Sequence, residues 1–156
     1  MKVSIVMSAY NCEPFLEQAL DSIINQSYQD FEFIVFDDAS TDTTKTIIQD
    51  YAIKDSRIIA VYNDINKGLT ANLNKAISLS NNEYIARMDA DDIAFTTRIE
   101  KQVEFLDAHP EIDLVGSAAF DINEYGEEIQ LRKSPKLHDD IIALLPKANP
   151  ITHSTV

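Results

Sequence analysis

Short apolar runs alternate with amphipathic stretches along nearly the whole chain, and this alternation limits the fold more than any other feature. "KVSIVMS" (2–8), "FEFIVFD" (31–37), "RIIAVYN" (57–63) and "EYIARMD" (83–89) have strand length and are rich in β-branched and aromatic residues. Between them the period changes to that of a helix. In "EPFLEQALDSIINQS" (13–27), Pro14 suits the first turn, and Phe15, Leu16, Ala19, Leu20, Ile23 and Ile24 share one face. A second helix carries Ile47, Ile48 and Tyr51, with Ser40 or Thr41 as its cap. "LTANLNKAISLS" (69–80) is a third, entered through Gly68, and "TTRIEKQVEFLDAH" (96–109) a fourth, stopped by Pro110. "DLVGSAAFDI" (113–122) reads as a fifth strand, "NEYG" (123–126) as a turn into "EEIQLRK", and "HDDIIALLP" (138–146) as a short helix. Strand–helix alternation at these lengths means βαβ units, hence an α/β fold with a mainly parallel sheet flanked by helices. Its crossovers are right-handed, and ligands of such sheets bind at the carboxyl ends of the strands.

Composition removes several classes of function. At 156 residues the chain is one domain, 1–156, with room for a real core. No apolar run approaches the roughly 20 residues that span a bilayer. The N-terminus shows no basic region followed by an apolar one, so no signal peptide is expected. Cys12 is the single cysteine, which forbids an internal disulfide and points to a cytoplasmic setting. A formal net charge of −13 argues against nucleic acid as a partner. It does not exclude an anionic substrate, because a divalent cation reverses the local sign.

The strand ends are where chemistry should sit. They read "SAYN" (8–11), "DDAST" (37–41), "NDINKGL" (63–69) and "DADD" (89–92). Glycine is scarce, with three in the chain, and neither G-x-G-x-x-G nor a Walker-type loop is present. A diphosphate can instead be held through metal. Asp89 and Asp91, two apart in an extended chain, face one side and can share a hard cation, Mg²⁺ or Mn²⁺, with phosphate oxygens. The plain alternative is a solvated acidic turn, with Asp92 capping the next helix.

"VSIVMSAYN", "FEFIVFDDASTD", "NKGLTANLNKAI", "YIARMDADDI" and "NPITHSTV" occur in this order and register. Together they resemble the inverting nucleotide-sugar glycosyltransferases of family 2, with the GT-A (Rossmann-like) fold. The closest likeness is to bacterial enzymes of capsular and exopolysaccharide synthesis. The likeness covers the N-terminal part of such proteins, so this chain is expected to be a nucleotide-sugar-binding domain that stops before the acceptor-binding region. Ser154 stands where the family has proline.

The resemblance implies roles residue by residue. Tyr10 stacks on a uracil ring, Ser8 bonds the base or ribose, and Asn11 braces the turn into the helix. Asp38 accepts the uracil N3–H, while Asp37 caps the helix with Ser40. Asn66, Gly68 and Asn74 match an N-x-G…N pattern, with Asn74 tying loops together; Lys67 ranks lower as a phosphate or base contact. Asp91 is the direct metal ligand, Asp89 contacts ribose or metal, and Asp92 caps the next helix or bonds the metal's ligands. Arg87 either neutralises the acidic cluster, touches a phosphate, or makes a salt bridge within the sheet. His138 reads as a cap or surface residue, and His153 lies toward the acceptor side. The implied reaction transfers a hexose from a UDP-sugar to a saccharide or lipid-linked saccharide, with inversion. The resemblance places the general base beyond Val156, with Asp113, Asp121 and Glu124 as the substitutes inside this chain. A lipid-linked acceptor puts the protein at the inner face of the membrane, leaving room for peripheral association and for a homo-oligomer. Two rivals are a sugar nucleotidyltransferase, whose basic glycine-rich loop "SIVMSAYNCEPF" lacks, and a receiver domain, whose strand-end lysine "FDINEYG" lacks. A third is a non-catalytic UDP-binding module.

Overall fold

The computed structural model describes residues 2–123 and 125–156. Strands β1 (Val3–Ala9), β2 (Phe31–Asp37), β3 (Ile58–Tyr62) and β4 (Tyr84–Arg87) form one sheet in the order β3-β2-β1-β4, every pair parallel. Helices α1 (Glu13–Ile24), α2 (Thr44–Lys54) and α3 (Leu69–Leu79) connect them, and α4 (Arg98–Ala108) follows β4. β1 and β2 are buried along almost their full length, which is why they read as continuous apolar runs and not as alternating ones.

Two core layers sandwich the sheet. On one face Val3, Ile5 and Met7 of β1 and Phe31, Phe33 and Val35 of β2 meet the Leu16, Leu20 and Ile23 stripe of α1. Ile48 of α2 and Ile99 and Val103 of α4 complete that layer. On the other face Val6, Ile34 and Phe36 pack under Ala76 and Leu73 of α3. The chain runs from β1 outward to β3, then returns to lay β4 on the far side of β1. The strand order therefore reverses between β1 and β4, and the ends of those strands border a crevice of the kind where α/β sheets bind ligands.

The fifth strand differs from expectation. Only Ala119–Ile122 is extended in a ladder (β5), and it pairs antiparallel with β6 (Glu128–Arg132) in a separate two-stranded sheet. The 113–118 stretch instead packs against the chain's last residues. A Cβ on Gly116 would lie 2.9 Å from Ile151 Cγ2, so only glycine allows this approach. The Thr155 hydroxyl accepts from the Ser117 amide and donates to the Thr152 carbonyl at 2.8 Å. Val156 carbonyl in turn accepts from the Arg87 amide at 2.6 Å, on the edge of β4 away from β1. The turn expected at 123–126 joins β5 to β6, and Glu124 lies outside the described residues. Helix α5 (His138–Leu144) begins at His138 behind Leu137; the His138 side chain is exposed, the surface position expected as one of its two roles, and makes no cap hydrogen bond among the described residues.

The helix starts are also corrected. Ser40 and Thr41 do not cap α2, which begins at Thr44, and Asp92 does not cap α4, which begins at Arg98. At α2 the Thr44 amide donates to Asp42 Oδ1, two residues before it, and at α4 the Ile99 amide is served from another part of the chain. Gln26, buried just after α1, accepts from the Ile99 amide with Oε1 and donates from Nε2 to the Phe95 and Ser22 carbonyls. One amide side chain thus docks α4 onto α1. Replacing it with Met keeps the volume but strands a buried donor and acceptor, costing about 1–3 kcal/mol. Urea melts of Gln26→Met should show this loss, and hydrogen exchange should speed up first at Ile99; an unchanged midpoint would contradict the docking role.

Candidate functional site

Four loops meet at the carboxyl ends of the strands. The end of β1 and the end of β2 are laced together by reciprocal hydrogen bonds. The Asn11 amide donates to Ser40 Oγ, and the Thr41 amide donates back to Asn11 Oδ1 at 2.8 Å. The Cys12 amide donates to Thr44 Oγ1 and the Glu13 amide to Asp42, while Glu13 accepts from the Thr43 amide. Asn11 therefore braces the β2–α2 loop as well as its own turn. It does so with φ at 48°, a left-handed conformation that asparagine tolerates better than most residues. Ala39, at φ 61°, tolerates it less well and is held by its neighbours: the Ser40 amide reaches Asp37 Oδ1, and Asp38 is fixed on the other side. Asp37 caps this turn and not a helix.

Asp38 is 2% exposed and accepts on both oxygens. Oδ1 takes Asn63 Nδ2 at 2.8 Å and the Lys67 amide at 2.9 Å; Oδ2 takes the Gly68 amide at 2.8 Å. Burial pushes the carboxyl up, but the Lys67 amide, the Asn72 and Asn63 side chains and the Gly68 amide outweigh it and hold the group below the usual carboxylate value. Asn72, 1% exposed on α3, completes the network: its oxygen accepts from Asn63 and its nitrogen donates to Ser8 Oγ at 3.0 Å. Ser8 on β1, Asp38 after β2, Asn63 after β3 and Asn72 of α3 thus form one chain of hydrogen bonds. Because Asn72 donates to the Ser8 oxygen, the Ser8 proton is free to donate elsewhere.

Asn72 was missed by the sequence reading, and the loop-tying role expected of Asn74 is corrected: Asn74 is exposed and Asn72 makes the tie. The signal was present, since Asn72 lies on the same helical face as Leu69, Leu73 and Ala76, where a polar side chain needs partners. Tyr10 stands 51% exposed beside this network. Asn66 and the Lys67 side chain are exposed, and Gly68 takes φ 83° to turn the loop so that its amide and that of Lys67 both face Asp38.

The acidic loop lies across the crevice, after β4. Arg87 is an internal counter-ion here: its guanidinium pairs with Asp89 Oδ1, and its side chain is 7% exposed. Its Nε and Nη1 atoms are buried without a partner among the described residues. Burial raises the Asp89 carboxyl above its ordinary value; Arg87 lowers it, and Asp92 and Asp91 raise it. The repulsion between the acids is thus present and only partly relieved. Asp91 is exposed. Its charge also reaches Cys12, whose thiol is raised chiefly by burial and secondarily by Asp42 and Asp91, so the β1 and β4 loops are neighbours. A second unforeseen residue, Arg98, clamps the loop from below. It is buried, with Nη2 donating to the Arg87 and Val156 carbonyls and Nε to Gln102. Burial lowers its pKa to about 10. A cation in the first turn of a helix opposes the helix dipole, and that oddity was the sequence signal for it.

Among the described residues, no three His, Cys, Asp or Glu side chains close on one point. The acids do not form a protein cage for a metal. They do fit the pattern of Mg²⁺ or Mn²⁺ bound by one or two carboxylates with substrate phosphates supplying the rest. Of the substitute bases, Asp121 is held by Arg132 in an exposed ion pair.

The Glycosyl transferase family 2 model matches residues 4–155. This chain belongs to that family. EpsE of Bacillus subtilis (strain 168), itself named only provisionally as a glycosyltransferase, is 40% identical over 156 residues, covering 99% of this chain and 55% of EpsE. WfaP of Escherichia coli, a "UDP-Glc:alpha-D-GlcNAc-diphosphoundecaprenol beta-1,3-glucosyltransferase", is 41% identical over 105 residues, covering 67% of this chain and 41% of WfaP. The chain thus spans about half the length of such relatives. Among solved structures, S. aureus TarS with UDP superposes with a TM-score of 0.68 at 24% identity, over 83% of this chain and 38% of TarS, which shows the fold. The mannosyltransferase PcManGT from Pyrobaculum calidifontis, solved with GDP-Man and Mn²⁺, gives 0.66 at 26% identity, over 77% and 36%. The sheet is the GT-A arrangement expected from the sequence.

The Asp38 network makes an acid-sensitive prediction. Its folded pKa is depressed, so its contribution is complete above the unfolded value of about 3.9 and is lost as pH falls through the folded value. Asp38→Asn should therefore cost about 2 kcal/mol at pH 7 and progressively less toward pH 3. Urea melts at the two pH values check this; a loss that does not depend on pH would contradict it.

Proposed function

We propose that this chain binds the nucleotide-diphosphate sugar, a UDP-hexose, for a metal-assisted inverting transfer in cell-surface polysaccharide synthesis. The observation that carries the reading is the hydrogen-bonded floor of Ser8, Asn72, Asn63 and Asp38, with Tyr10 exposed beside it and the acidic loop opposite. The UDP-glucose in the name of WfaP and the GDP-Man and Mn²⁺ in that of PcManGT support the donor class and the cation.

The base lies against Tyr10, whose ring offers a stacking face, and Ser8 donates its proton to the base or ribose. Asp38 reads the base edge with the lone pair that its three direct hydrogen bonds leave over. Its other partners fix the direction of that lone pair. Asp91, with Asp89, would hold the cation, which would supply Lewis-acid stabilisation of the departing diphosphate. An Asp89 carboxylate engaged by a cation would leave Arg87 without that partner, and its donors would be available to a phosphate. In the transfer the acceptor oxygen bonds to the anomeric carbon as the bond to the β-phosphate oxygen breaks. The bonding pair leaves with UDP, and the hydroxyl proton passes to a carboxylate base. We place that base outside 1–156, in the acceptor-binding part of the longer protein.

Calorimetry tests this. UDP should bind with Mn²⁺ and lose most of its affinity in EDTA, and Asp91→Asn should bind UDP equally weakly with and without Mn²⁺. Equal affinity of the wild type in EDTA would refute the metal assignment. Tight UDP binding in a longer protein that transfers no sugar would favour the non-catalytic module instead.

A further inference from the structure

The hydrogen bonds under the crevice have a direction as well as a path. The backbone amides of Lys67 and Gly68 can only donate, so both Asp38 oxygens are acceptors. Asn63 must then turn its Nδ2 to Asp38, and the second proton of that nitrogen goes to Asn72. Asn72 therefore presents its oxygen to Asn63, which leaves its nitrogen to face Ser8. An amide nitrogen has no lone pair to offer. The Ser8 oxygen accepts from it, and the Ser8 proton has no acceptor among the described residues. Backbone amides in the β3–α3 loop thus set the sense of a relay whose outer end is the Ser8 hydroxyl.

That hydroxyl rises beside Asp38. Ser8 stands in register with Phe36 in the β1–β2 ladder, and Asp38 follows Phe36 by two residues, so Ser8 and Asp38 lie on one face. The face continues the Val6, Ile34 and Phe36 layer beneath α3. Its direct hydrogen bonds leave Asp38 one lone pair. The edge offered to a flat ring stacked on Tyr10 is therefore an acceptor next to a hydroxyl whose proton needs a partner.

We infer that Asn72 sets the choice of nucleobase: by holding Ser8 as a donor beside the Asp38 acceptor, it favours a pyrimidine with N3–H and a 4-carbonyl over one with a 4-amino group. The inference rests on the nucleotide-sugar reading above and adds the residue that discriminates between bases. Uracil presents a donor at N3 and an acceptor at the 4-position, the complement of the Asp38–Ser8 pair. Cytosine presents the reverse. A serine hydroxyl ordinarily rotates to suit either partner. Here it cannot do so freely, because a 4-amino group facing the Ser8 oxygen would leave the Ser8 proton stranded, and Asn72 has no lone pair to receive it. Asn72 is a positioning residue that acts through Ser8, and specificity arises as much from the partner it excludes as from the one it admits.

Calorimetry with UDP and CDP in Mn²⁺ reads this as a ratio of affinities, because the two nucleotides share the ribose, the diphosphate and the cation. The wild type should prefer UDP by about a hundredfold or more. Asn72→Ala makes room for a water that can accept the Ser8 proton, so Ser8 can turn to either base. The preference for UDP should then fall by about tenfold, as expected when one stranded group is relieved. A residue that merely supported the fold would weaken both nucleotides alike. Ser8→Ala removes the donor while leaving the bonds of Asn63 to Asp38 and Asn72 in place, and should narrow the preference to a similar extent. Ser8→Thr keeps the hydroxyl and should retain the preference. Circular dichroism checks that Asn72→Ala folds; where it does not, the Ser8 variants decide alone. An equal loss of both nucleotides in Asn72→Ala would overturn the inference, and so would an unchanged preference in Ser8→Ala. A wild type that binds UDP and CDP equally would also overturn it while leaving the donor class intact. A wild type that binds neither would overturn the nucleotide-sugar reading and this inference with it.

Discussion

The buried carboxylate of Asp38 is the point on which the site depends. A charge at 2% exposure is tolerable only where hydrogen bonds replace the water it has lost. The sequence meets that demand with donors from three directions: Asn63 at the end of β3, and the amides of Lys67 and Gly68 in the loop that follows. The demand fixes the path of the β3–α3 loop. It explains the left-handed Gly68, which lets two successive amides face one acceptor. It also fixes Asn72, whose oxygen takes the second Asn63 proton and whose nitrogen reaches Ser8. Four chain segments that share no local sequence are held in register by one group.

The same logic of satisfaction across the chain runs through the helix starts. Helices α1 and α2 exchange hydrogen bonds through Asp42, Glu13 and Thr44, and α4 is met by Gln26. This is why the parallel sheet, its four strands and the four helices around it were legible in the sequence while the caps were not. Strand and helix periods are local properties. A cap supplied from tens of residues away is a property of the fold, so Asp92 was a reasonable local candidate for a role that Gln26 fills at α4, whereas at α2 the local group is Asp42 and not Ser40 or Thr41. The fifth strand was misread for a related reason. "DLVGSAAFDI" has strand composition, but its Gly116 serves close packing against Ile151, and only the four residues of β5 enter a ladder.

The candidate site was legible to the extent that its residues stand at strand ends. Ser8 and Arg87 lie at the ends of β1 and β4, and Tyr10, Asn11, Asp38, Gly68, Asp89 and Asp91 lie on the loops that follow the strands. What periodicity did not reveal is which polar side chains are buried. Asn72 and Arg98 carry no motif, and each shows only as a polar group in an apolar or electrostatically unfavourable place. Arg87 illustrates the limit from the other side. Its spacing from Asp89 gave the ion pair, but the two guanidinium nitrogens left without partners emerge only from the packing around β4. Among the described residues those donors stay unpaired beside Asp89, whose charge is disfavoured by burial and by Asp92 and Asp91.

The central claim is that the Asp38 floor and the acidic loop are two walls of one nucleotide site. An amide-resolved NMR titration with UDP, first without and then with Mg²⁺, tests it most directly. The account predicts shifts at Ser8–Asn11, Asp38–Ser40, Lys67 and Gly68, with those at Asp89–Asp92 growing only when Mg²⁺ is added. Saturable UDP binding that leaves Lys67 and Gly68 unmoved, with its shifts centred instead on Ile85, Val103 and Leu114 at the far edge of β4, would contradict it.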